Sequence, residues 1–173
     1  DLIADRERHS VESFAAIQND FLSLAARDLT TAMLDALPEH IRGQEVPAIM
    51  TAWDGSMDVS RPEPLIYATW SNALRRRLID DELGQFAGRY RGVRPRVIAG
   101  ILTQSPSWCD DTGTAASETC GQIVSAALDD ALSELRENRG GEAAPWRWGD
   151  AHQAAFEHPL LRFAGPLGQL VAP

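Results

Sequence analysis

Apolar residues recur at helical spacing along most of the chain. Val11, Phe14 and Ala15, then Phe21, Leu22, Ala25, Leu29, Ala32, Met33 and Ala36, keep that period for about seven turns. The pattern predicts one long helix over 10–37. Ser10 can cap it, Glu12 sits in its first turn where negative charge suits the helix dipole, and Leu37-Pro38 ends it. A shorter helix is expected over 46–53, with Pro47 in its first turn and Asp54-Gly55 as the turn that follows. Residues 56–64 read as a loop. Pro62 and Pro64 lead into a third helix carrying Leu65, Ile66, Thr69, Trp70, Ala73, Leu74, Leu78 and Leu83, and Gly84, Gly88 and Gly92 loosen its end. The apolar run 97–102 fits a helical turn or a buried strand equally well.

A second strongly periodic helix is expected over 115–138. Val124, Leu128, Ala131 and Leu135 form its stripe, flanked by Ile123, Ala127 and Leu132, and Gly140-Gly141 stops it. Then come Pro145-Trp146-Arg147-Trp148-Gly149-Asp150, a short helix near 151–156 and an irregular tail over 163–173. The period-2 alternation of strands is nearly absent. The expected fold is mainly α: about five to seven helices in one irregular domain spanning 1–173.

A chain of 173 residues can bury one good core. Its net charge of −9 argues against a nucleic-acid or anionic-membrane partner, since both need clustered positive charge. Arg75-Arg76-Arg77 is followed by Asp80, Asp81 and Glu82, which reads as a solvated helix face. All sixteen basic residues are arginine, so lysine nucleophiles and Schiff bases drop out. No apolar run approaches the length of a membrane span. The chain opens Asp1-Leu2-Ile3-Ala4-Asp5-Arg6, without an initiator methionine or the apolar stretch of a signal peptide. Such a start is expected of the interior of a longer chain, or of a trimmed mature terminus.

Candidate chemistry is sparse. His152 and His158 are six residues apart, the wrong spacing for a shared helical metal site, and Pro159 breaks any common face. His9 and His40 are isolated. The pairs Asp80-Asp81, Asp110-Asp111 and Asp129-Asp130 lack the alternation of a calcium loop and read as solvated or capping carboxylates. No phosphate-binding glycine loop and no GxSxG elbow is present. Cys109 and His152 could be drawn as a dyad, but no third group orients them. Trp146, Trp148, His152, Phe156 and His158 form the densest aromatic and imidazole cluster; it could line a ligand, but packing with hydrogen-bonded ring N–H groups is the simpler reading. Cys109 and Cys120 flank a polar stretch. Their spacing suits a disulfide, which would stabilise by roughly 3 kcal/mol and require an oxidising compartment, or two reduced thiols.

Several short stretches, in order, resemble the penicillin amidase (penicillin acylase) family of N-terminal-nucleophile hydrolases. They are Ile17-Gln18-Asn19-Asp20 with Ser23-Leu24-Ala25; Ala52-Trp53-Asp54-Gly55; Trp108-Cys109-Asp110-Asp111 with Glu118-Thr119-Cys120; Ala127-Leu128-Asp129-Asp130-Ala131-Leu132; and Trp148-Gly149-Asp150-Ala151-His152 with Phe156-Glu157-His158-Pro159-Leu160. The resemblance implies an exported precursor that cuts itself into two chains. The new N-terminal serine of the larger chain attacks the amide of an N-acyl substrate, such as an acylated β-lactam or an acyl-homoserine lactone, with its own α-amino group as base. This sequence looks like the later, helical part of that larger chain, an excursion from the hydrolase core.

On this resemblance the nucleophile, the oxyanion-hole groups and the calcium ligands of the parent would all lie before Asp1. No catalytic residue, cofactor or metal ligand is therefore assigned within the segment. The resemblance implies that Cys109 and Cys120 are joined and that the protein is periplasmic or secreted in a bacterium. It further implies that Trp148, Gly149 and His152 hold the segment against the remainder of the acylase, its small chain and core. The competing expectation is a free-standing all-α binding module.

Overall fold

The computed structural model describes residues 2–90 and 92–153. The chain is mainly α. Its helices are α1 (Val11–Gln18), α2 (Leu24–Ala36), α3 (Glu39–Arg42), α4 (Glu45–Thr51), α5 (Glu63–Leu83), α6 (Pro95–Gln104), α7 (Cys120–Arg139) and α8 (Trp148–Ala151). Short 3-10 segments at Gly84–Arg89 and Pro106–Cys109 follow α5 and α6. The expected irregular tail over 163–173 lies outside the described residues, as do Phe156 and His158.

The long α5–α7 pair is the spine, because each helix brings a continuous apolar stripe to the other. Ile66, Trp70, Ala73, Leu74 and Leu78 from α5 meet Val124, Ala127, Leu128 and Ala131 from α7, all buried. The Trp70 indole is fully buried, and its N–H donates to the Val124 carbonyl at 3.1 Å. That bond satisfies a donor which burial would otherwise leave unpaired. On the other side, α2 brings Ala26, Leu29 and Met33 and packs on α6, α4 and α7. Gly121 lets α7 begin close against the end of α2: a Cβ there would lie 3.0 Å from the Ala36 carbonyl oxygen.

The expected helix over 10–37 is two helices. Asn19 ends α1, while the Ser23 hydroxyl accepts the Ala26 N–H at 3.2 Å and starts α2. Between them Asp20 accepts the Leu22 N–H at 2.9 Å, turning the chain. Apolar period alone hides this break, because Phe21 and Leu22 continue the spacing but are exposed. The helix expected from residue 115 starts at Cys120, where Thr119 and Gln122 form a reciprocal capping box. The run 97–102 is helical within α6.

The arginine cluster on α5 is solvated at Arg76 and Arg77, which are also paired with acids, while Arg75 is mostly covered. Arg77 makes a two-pronged pair with Asp130 of α7, at 2.7 and 3.0 Å, and Arg76 lies 3.6 Å from Glu134. The Arg75 side chain is only 11% exposed and bonds Asp80 at 3.1 Å. The sequence could not show that this face abuts the acidic edge of α7. A hydrogen bond to Asp130, with the nearby acids, raises the Arg77 pKa further above its ordinary value.

Candidate functional site

Most of the motifs that carry the family resemblance lie at joints between helices; the stretch 127–132 lies within α7 instead. The first two meet in space. The Ser23 N–H donates to the Gly55 carbonyl at 2.9 Å, and the Met57 N–H donates to the Phe21 carbonyl at 3.0 Å. Together they make an isolated antiparallel bridge between Leu22 and Ser56. Asp54 accepts the Ser56 N–H at 2.9 Å, and Trp53 donates its indole N–H to the Ser56 carbonyl at 2.9 Å. Gly55 has φ of 92°, and a Cβ there would sit 2.8 Å from the Ser23 carbonyl oxygen. Backbone angle and close approach both demand glycine.

The cysteine loop is the second joint. Cys109 and Cys120 are bonded, with Cα atoms 4.9 Å apart. Inside the loop, Asp110 accepts the Glu118 N–H at 2.9 Å, and Glu118 accepts the Asp111 N–H at 3.1 Å. Asp111 in turn accepts the Gly113 N–H at 2.8 Å. Asp81 of α5 reaches over to accept the Thr112 N–H at 2.9 Å. These carboxylates are therefore engaged in loop hydrogen bonds, and among the described residues no group of three or more His, Cys, Asp or Glu side chains could hold a metal ion.

The third joint carries Trp148, Gly149 and His152. The Trp148 N–H donates to the Arg61 carbonyl at 3.0 Å, and the Gly149 N–H donates to the Val59 carbonyl at 2.9 Å. A Cβ on Gly149 would meet Val59 at 3.2 Å. The exposed His152 ring stacks on Trp148, with centroids 4.6 Å apart and planes 8° from parallel. Arg61, whose carbonyl receives α8, pairs its guanidinium with the buried Glu63 carboxylate. That hydrogen bond raises the Arg61 pKa. Trp146 is buried and donates its indole N–H to the Gly140 carbonyl at 3.2 Å. Within the described part of the aromatic cluster, packing is what the rings do.

Cys109 is buried in its disulfide and offers no thiol, so the Cys109–His152 dyad does not exist. One feature the sequence does not reveal is a groove of about 300 Å³ between α2 and α4, lined by Arg27, Thr30, Arg42, Met50 and Trp53. The Thr30 hydroxyl is buried there without a hydrogen-bond partner. Arg42 is committed to the carbonyls of Asp35 and Leu37 at the end of α2. No sequence pattern could report the groove, since it exists only once α2 and α4 lie side by side.

Fold and joints define a helical architecture stapled by one disulfide, with most of the family-like motifs at its helix junctions. The chain belongs to the penicillin amidase family, whose model matches residues 1–171. It is 25% identical, over 94% of its length, to the acyl-homoserine lactone acylase QuiP of Pseudomonas putida. It is 28% identical, over 87% of its length, to the penicillin acylase 2 proenzyme of Pseudomonas sp. (strain SE83). The chain spans 23% of the first relative and 19% of the second. Among the described residues no helix is long and apolar enough to cross a membrane.

Proposed function

We propose that these 173 residues form a scaffolding segment of a larger amidohydrolase that cleaves the amide bond of N-acyl substrates. One observation carries the reading: most of the described family-like motifs brace helix against helix, and the matched relatives are four to five times longer than the match. The reacting serine then belongs to another part of the polypeptide, with its own α-amino group as base. Acylated β-lactams and acyl-homoserine lactones are the substrate classes, in keeping with the activities for which the two relatives are named. Calcium, if the parent holds it, is bound elsewhere. Export to the periplasm or beyond fits a disulfide that closes a short loop.

In this reading α8 has two neighbours. Its backbone seats on the 59–61 loop, while the exposed ring of His152, stacked on Trp148, faces the remainder of the acylase. The test is hydrolysis of an N-acyl-homoserine lactone and an N-acyl β-lactam by the polypeptide encoded around this segment, followed by release of the free amine. Turnover by the whole protein and none by residues 1–173 alone is the expected result; turnover by the segment alone would overturn it. His152→Ala should lower the thermal stability of the whole enzyme, and an unchanged melting profile would remove His152 from that contact.

A further inference from the structure

Helix α1 is inside out. Its one buried residue is Ser13, while Val11 is 82% exposed and Phe14 49%. Ser13 is occupied locally: its hydroxyl accepts the Ser10 N–H at 2.9 Å, and His9 bonds it at 3.1 Å. Alone among the α-helices described, α1 has no extensive packing partner. Eight residues are too few for a helix to persist in water without tertiary contacts, since isolated helices under about 12 residues are marginal. The exposed apolar surface continues past its end through Phe21, Leu22 and Leu24, at 56%, 42% and 54% exposure. This stretch is anchored, because Phe21 and Ser23 are bonded to the 55–57 turn. A run of exposed apolar side chains this dense, two of them aromatic and with the Phe14 ring centroid lying 4.9 Å from that of His9, marks an interface.

We propose that the surface made by Val11, Phe14, Phe21, Leu22 and Leu24 is the seat on which the remaining part of the acylase polypeptide docks. The occupant follows from length: most of each matched relative lies outside the stretch that this chain matches, and the chain must join it somewhere. Burying Val11 and Phe14 under that partner adds to the sparse tertiary contacts of α1. The partner surface is apolar, with room for the two phenylalanine rings. This rests on the reading of the chain as one segment of a larger acylase.

The probe is a single Val11→Cys substitution in the full acylase, alkylated with a maleimide and followed by peptide mass spectrometry. The rate in the native enzyme is compared with that of the same variant in denaturant. Docking predicts alkylation slower by about a hundredfold in the native enzyme, as expected for a site opened only by local unfolding. Native alkylation within about threefold of the denatured rate would overturn the proposal. If the variant does not fold, amide exchange of residues 11–18 in the wild-type enzyme decides instead: strong protection supports docking, and free exchange overturns it. Protection that vanishes on dilution assigns the face to a second copy and also overturns the proposal. An active V11C acylase whose introduced thiol reacts freely sinks the docking face alone; a full-length protein without acylase activity sinks the broader reading.

Discussion

Cutting the Cys109–Cys120 bond should loosen one joint by a calculable amount. The bond separates residues 11 apart, and for a loop of that size the chain-entropy cost of opening is about 3 kcal/mol. Cys120 is the first residue of α7 and Cys109 ends the turn after α6, so the bond ties the start of α7 to the α6 side of the molecule. The hydrogen bonds of Asp110, Asp111 and Glu118 survive reduction and keep the loop folded on average. The penalty therefore appears as more frequent opening, by about a hundredfold in the local equilibrium. Amide hydrogen exchange on the enzyme carrying this segment reads that directly, over residues 110–124, before and after a thiol reductant. The Cys109→Ala, Cys120→Ala double variant should lose about 1 kcal/mol more, because it also removes a buried sulfur. Protection that changes by less than about threefold on confirmed reduction would overturn this expectation. It would mean that the carboxylate hydrogen bonds alone hold the joint.

Three further outcomes follow from the geometry. Gly55→Ala should destabilise by about 2–5 kcal/mol, through an unfavourable positive φ and an overlap with the Ser23 carbonyl, read by denaturant melts; a loss under about 1 kcal/mol would show that the turn relaxes freely. Trp70→Phe should cost about 2 kcal/mol or more through the cavity left and the lost bond to Val124, with fluorescence and melts as readouts. The Asp58 carboxyl, held below its ordinary pKa by the hydroxyl and N–H of Ser60, braces the loop that receives α8. Because its folded pKa is lowered, that support is present above the ordinary carboxylate pKa and is lost as pH falls through the folded value. Exchange at the Gly149 amide should therefore quicken in acid relative to an Asp58→Asn variant, and identical acid profiles would remove Asp58 from the joint.

Long amphipathic stretches are legible because a helix that buries one face must write that face into its sequence. The stripes of α5 and α7 and their buried residues are where the apolar period puts them. Breaks are less legible. The split at residues 19–23 is signalled by Asn19, Asp20 and Ser23, all residues that compete for backbone hydrogen bonds, yet the apolar spacing runs through them. Thr119 with Gln122 is a readable capping box that fixes the start of α7. The arginine row reads as solvated from sequence, and Arg76 and Arg77 are largely exposed, but their pairing with Glu134 and Asp130 is invisible until α7 is placed beside α5. The joints themselves are visible only as short motifs. What each motif holds depends on partners far along the chain: residue 23 with residue 55, residue 59 with residue 149.

In the proposed parent acylase, the chemistry lies outside these residues. The most direct measurement treats the full enzyme with a sulfonyl fluoride, which modifies an activated serine, and locates the adduct by peptide mass spectrometry. The expected result is loss of N-acyl hydrolysis together with a single adduct on the N-terminal serine of a processed chain, at a position outside residues 1–173. An inactivating adduct on any of the serines within this segment would contradict it.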